Sequence, residues 1–180
     1  FVWLVRWMDR YDREPLWAIA ICFLWGAMGA TSLAGTANFL VSTLLGLDFD
    51  GFVLPVIVAP ITEEPAKALI LIAMMTTRPF DNATDGFVYG AVTGLGFAAG
   101  ENLQYFQTAA LQSDAAAWFN LTVIRTGWSA MIHTTASSIV GAAVGSLRFR
   151  PDRTIARVRN AFLIAMAIHS AWNFVCFSGS

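Results

Sequence analysis

Five long stretches of this 180-residue chain are nearly free of charge, and they limit its fold more than any other feature. Residues 15–47 carry no charged side chain, while 51–77, 86–113, 115–147 and 160–180 carry only isolated ionisable groups. A bilayer core needs about 20 apolar helical residues per crossing, so each stretch can supply one. Composition removes the soluble alternative. Only 13% of the residues are charged and 57% are hydrophobic, against about 25% charged in soluble domains, and the mean hydropathy is +0.60. The sequence predicts an all-α, polytopic transmembrane helical bundle of about five spans, a single domain over residues 1–180. The first stretch exceeds one crossing by about a dozen residues. That excess, GTANFLVSTLLGL, is expected to form a short re-entrant or interfacial helix. The chain starts at Phe1, from which a truncated N-terminus is expected.

The basic residues orient these spans. With a cytosolic N-terminus, Arg6, Arg10, Arg13, Arg78, Arg148, Arg150, Arg153, Arg157 and Arg159 all fall on one side. The opposite loops, near Asp48–Asp50 and Gln107–Ala117, contain no Lys or Arg. This asymmetry is the positive-inside pattern and predicts a multi-pass protein embedded in lipid with its N-terminus in the cytosol. Trp17, Trp118 and Trp172 stand near span ends, as interfacial anchors do. Glycines paired at four-residue spacing, Gly90 with Gly94, Gly96 with Gly100 and Gly141 with Gly145, predict close helix seams. Cys22 and Cys176 lie in apolar runs without metal-site spacing and are expected to be buried free thiols. No basic patch with interleaved aromatics suggests nucleic acid.

The polar residues inside the spans carry the functional signal. A charge at a helix centre costs roughly 2.5–3.5 kcal/mol on insertion scales, yet Glu63, Glu64 and Lys67 sit together in the second span. Glu101 stands in the third, His133 in the fourth and His169 in the fifth, all at comparable depth. The chain has four glutamates and two histidines, so five of these six are predicted in the membrane interior. Helical spacing pairs Lys67 with both carboxylates, His169 with Asn173, and His133 with Ser137, with Arg125 eight residues before His133 on much the same face. Pro55, Pro60 and Pro65 predict a second span that is not a straight helix.

Two chemistries suit such a set. Buried carboxylates and imidazoles can activate water for hydrolysis, with or without a bound metal. Buried carboxylates can also relay protons or bind ions in a transporter. The HExxH pattern is absent, so a metal site would be assembled from separate helices. The candidate catalytic residues are Glu63, Glu64, Glu101, His133, His169 and Asn173, with Glu64 favoured as the base. The candidate ligands of a divalent metal, zinc by donor type, are Glu64, Glu101, His133 and His169. Lys67, Asn102 and Arg125 are candidate supporting residues.

The segments PITEEPAKAL, DGFVYGAVTGLGFAAGENLQY, the His133 helix and AIHSAWNF occur in that order between Pro60 and Asn173. This pattern resembles the PrsW-type intramembrane proteases, distant relatives of the CAAX-prenyl endopeptidases and bacteriocin-processing membrane proteins. The resemblance implies a bacterial inner-membrane endopeptidase acting on a membrane protein, typically an anti-sigma factor. It also implies that Glu63, Glu64 and Lys67 form an EExxK element and that Glu101 closes an FxxxE element begun by Phe97. His133 and His169 would then be the histidines of the third and fourth motifs. The family's usual class is metal-dependent. Its prenyl-protease relatives suggest a metal-free alternative, with Glu activating water while His and Asn stabilise an oxyanion.

Overall fold

A computed structural model describes residues 14–48, 51–148 and 154–178. Arg6, Arg10, Arg13, Asp50, Arg150 and Arg153 lie outside them. The regular elements of the described residues are all helical and form five rods, one per low-charge stretch. The first, α1, spans Leu16–Leu45. Next come α2 at Ala59–Met74, α3 at Ala83–Gln112, then α4 at Ala115–Ile124 and α5 at Ala130–Gly145, which are joined into one rod, and α6 at Thr154–Ser178. Leu16–Leu45 and Ile155–Ser178 are long and apolar enough to cross a membrane on length and composition alone, with hydropathies of 1.7 and 1.5. The other three rods carry Glu63, Glu64, Lys67, Glu101 and Arg125.

The segment expected to be a separate re-entrant helix instead continues α1. A π-helical turn at Trp25–Ala30 passes directly into helix at Thr31–Leu45, which stops at Gly46 with φ 63°. Nothing before Gly46 breaks the helix. Thirty residues then make a rod of roughly 45 Å, longer than one hydrocarbon core. Two more π-helical turns interrupt the bundle, at Leu54–Val58 ahead of α2 and at Arg125–Ser129 between α4 and α5.

Glycine seams set the rod directions. A Cβ on Gly86, Gly90 or Gly94 would fall 2.1–2.3 Å from backbone carbonyls of Gly141, Ser137 and His133, so α3 and α5 run antiparallel at a spacing only glycine permits. A Cβ on Gly96 or Gly100 would fall 2.1–2.2 Å from the carbonyls of Phe23 and Ala27, so α1 and α3 run parallel. Helix α3 thus presents glycine to two neighbours at once. Around these seams the apolar core gathers Ala18, Leu71, Tyr89, Val92, Val140 and Ala165. The start of α3 is fixed by a reciprocal cap, in which Asn82 accepts from the Thr84 and Asp85 amides and Asp85 accepts from the Asn82 amide. Both cysteines are free. Cys22 is buried, but Cys176 is exposed on α6.

Candidate active site

Four of the five rods bring Glu63, Glu64, Lys67, Glu101, His133 and His169 into one cluster. Glu64, Lys67, His133 and His169 are each only 1% exposed and Glu63 only 6%, so the charges must satisfy one another. Lys67 Nζ lies 2.5 Å from Glu64 Oε1, one helical turn away. The same oxygen accepts a hydrogen bond from His169 Nδ1 at 2.9 Å. With Nδ1 on Glu64, His169 presents Nε2 toward Glu63 Oε2, 3.6 Å away.

A second chain of contacts closes the other side. Lys67 Nζ, which can only donate, lies 3.2 Å from His133 Nδ1. His133 therefore carries its proton on Nε2, which stands 3.0 Å from Glu101 Oε2. Arg125 holds that carboxylate oxygen at 2.6 Å and donates through Nε to Asn102 Oδ1 at 2.9 Å. Asn102 also donates back to the Arg125 carbonyl at 3.3 Å, so one carboxamide grips both backbone and side chain of Arg125. The guanidinium stacks 3.6 Å over the Tyr105 ring, and Phe97 lies under the Lys67 ammonium at 4.5 Å and beside His133.

The π-helical turns explain two contacts that spacing alone does not reveal. At Leu54–Val58 the Ala59 amide bonds back to Leu54 rather than to Pro55. The next residue, Pro60, has no N–H, so the Pro55 carbonyl is left over, and Asn173 Nδ2 donates to it at 2.8 Å. Asn173, a candidate oxyanion partner by sequence, is here tied to the backbone that leads into α2. On α1, Trp25 opens its π-helical turn and donates through Nε1 to the Ala66 carbonyl at 3.0 Å. Trp25 was not among the sequence candidates. Its apolar setting gave no sign that its indole N–H reaches across to the helix of the glutamates.

A cavity of about 430 Å³ opens between α1, the turn ahead of α2, and α3. Glu63 and Glu101 line it, with Asn173 at its edge, whereas Glu64, Lys67 and both histidines lie behind that wall. Glu63, His133 and His169 each offer one ligand atom, and these atoms lie within 4.8 Å of one another. The ligand set drawn from the sequence was Glu64, Glu101, His133 and His169; here Glu64 is engaged by Lys67 and His169, and Glu101 by His133 and Arg125.

The donor set suits a divalent metal. Glu63 Oε2 is a buried carboxylate oxygen without a hydrogen-bond partner. Zinc holds nitrogen and oxygen ligands about 2.0–2.2 Å away, which sets neighbouring ligand atoms about 3.3–3.6 Å apart in a tetrahedron. The His169–Glu63 separation is close to this. The Glu64 contact on the far nitrogen of His169 is the usual carboxylate support for a metal-binding imidazole. His133 would join by releasing either Lys67 or Glu101.

The sequence matches the PrsW family of intramembrane metalloproteases over residues 14–180. It is 29% identical over 178 residues to protease PrsW of Clostridioides difficile (strain 630), covering 95% of this chain and 72% of that protein. It is 27% identical over 173 residues to protease PrsW of Bacillus subtilis (strain 168), covering 93% and 73%. Its identity to protease PrsW of Oceanobacillus iheyensis is 24% over 163 residues, covering 90% and 71%. No solved structure gives a significant match.

Proposed function

Since this chain belongs to the PrsW family of intramembrane proteases, we propose that it hydrolyses peptide bonds of membrane-protein substrates, with Glu63 as the carboxylate that meets water and substrate. The observation that carries this reading is the placement of Glu63 at the cavity wall, with its Oε2 3.6 Å from His169 Nε2 and without a hydrogen bond. A carboxylate so placed can take a proton from water and return it to the leaving amine.

The other residues prepare that step. Glu64 orients His169 through Nδ1, and Lys67 balances the Glu64 charge, so Glu63 is left free to react. His133 is held between Lys67 and Glu101, and Arg125 and Asn102 hold Glu101. Asn173 stabilises the turn that carries the chain into α2. A divalent metal would be held by Glu63, His133 and His169, and zinc there would supply Lewis acidity toward the scissile carbonyl and the attacking water. Family membership favours hydrolysis over ion transport. The substrate class we assign is a membrane-anchored protein of anti-sigma type. The chain sits in the bacterial plasma membrane as one transmembrane domain of five spans, N-terminus in the cytosol.

The test is cleavage of single-pass anti-sigma-type proteins co-reconstituted with the enzyme in liposomes. Wild type should cut one of them, and Glu63→Gln, which keeps shape and removes the base, should lower kcat at least about 100-fold. Wild-type turnover by Glu63→Gln would refute the assignment.

A further inference from the structure

The cavity has more length than the catalytic group needs. The seam between α1 and α3 ends at Gly100, whose Cβ would fall 2.2 Å from the Ala27 carbonyl. Farther along, the two helices part. Thr31, Ala34 and Asn38 of α1 face Glu101, Gln104 and Thr108 of α3 across the opening. These residues recur at three- and four-residue spacing, so each helix turns one continuous stripe toward the gap. The α1 stripe is made of small side chains. At Gly35, also on this wall, an added Cβ would meet no atom within 4 Å.

We propose that this cleft binds the substrate on one side of the scissile bond as about three residues of extended chain, and that Gly35 sets the size of the side chain accepted there. The proposal rests on the proteolytic reading above and adds to it a binding mode and a specificity-determining position. From Glu101 to Thr108 the cleft runs about 10 Å along α3, the reach of about three extended residues. A substrate bound in this way is unwound where it enters the cleft.

The cleft wall also suits a bare backbone. An extended segment leaves its N–H and C=O groups unpaired, and in a membrane these need partners. Thr62 donates its hydroxyl to Asn38 Oδ1 at 2.6 Å, which leaves the Asn38 amide hydrogens as donors. Gln104 lines the opposite wall and offers both donor and acceptor.

The test profiles cleavage of a membrane-anchored peptide library, randomised on both sides of one site, by wild type, Gly35→Ala and Gly35→Leu in liposomes. The expected result is a graded loss of bulky residues at one subsite. The kcat/KM ratio of bulky to small substrates should fall at least tenfold in Gly35→Leu and less in Gly35→Ala. An unchanged residue profile in a cutting Gly35→Leu enzyme overturns the proposal and leaves the proteolytic reading intact; should that variant fail to fold, an unchanged profile in Gly35→Ala does the same. A separate readout needs no turnover. Gly35→Cys in a Cys176→Ser background is alkylated with a maleimide, with and without the library peptides. Protection by the peptides supports the cleft, and equal alkylation rates overturn it. If wild type cuts no library member, the proteolytic reading itself fails and the cleft assignment fails with it.

Discussion

Glu63 and Glu64 are adjacent in sequence, but a helix turns about 100° between neighbours, and that rotation gives them different work. Glu64 points into the bundle, where Lys67 and His169 occupy one oxygen. Glu63 points to the cavity. Sequence reasoning found both residues and favoured Glu64 as the base; which one meets the cavity depends on how α2 is rotated against α1 and α3, and periodicity within one helix does not report that. The Glu64–Lys67 pair lends itself to a stability test. Removing one partner of a buried ion pair costs about 3–5 kcal/mol, because a charge is left buried alone. Lys67→Met is expected to lose that much in reversible unfolding from mixed micelles, and Glu64→Gln/Lys67→Met should recover most of it. Equal stability of Lys67→Met and wild type would show that the pair carries no such burden.

At the scale of elements, the α3–α5 seam sets the height and spacing of the histidine. Gly94 packs on the His133 carbonyl, and its added Cβ would fall 2.3 Å from that oxygen. Backbone cannot yield there as a flexible side chain would. Gly94→Ala is therefore expected to push α5 outward and to lower proteolytic turnover about 100-fold, the usual effect of displacing a catalytic group by about 1 Å. Gly127→Ala, whose Cβ meets nothing within 4 Å, is the matched control, and its rate should stay within about threefold of wild type. Comparable losses in both variants would separate turnover from the seam. The glycine spacing announced this seam in the sequence. The π-helical turns did not announce themselves, because they arise from which carbonyl each amide chooses. The roles of Asn173 and Trp25 follow from those choices and stayed hidden. Reading residues 35–47 as a separate helix hid Asn38 as well, which falls on the Thr31 face once α1 is continuous.

Across the whole molecule, the rods alternate in direction. Their ends at Leu45, Leu54 and Gln112 lie on the side toward which the cleft runs, and those at Met74, Ala83 and Gly145 lie opposite. The charge asymmetry that suggested this arrangement was legible because loops report topology directly, whereas the rotation of each rod was not. Single cysteines test it in a Cys176→Ser background in whole cells. Ser113→Cys should react with a membrane-impermeant maleimide from outside, and Thr77→Cys only after permeabilisation. The reverse pattern would invert the topology.

Three side chains from three rods, Glu63, His133 and His169, would make the proposed metal site, and metal content of the purified protein tests their convergence most directly. Detergent-purified wild type, equilibrated with zinc and desalted, should retain about one ion per chain, held by three protein ligands with one position open. His133→Ala/His169→Ala with unchanged helicity should retain almost none. Full retention by that variant, or none by a wild-type protein that cleaves substrate, would contradict a metal-assisted site at these residues.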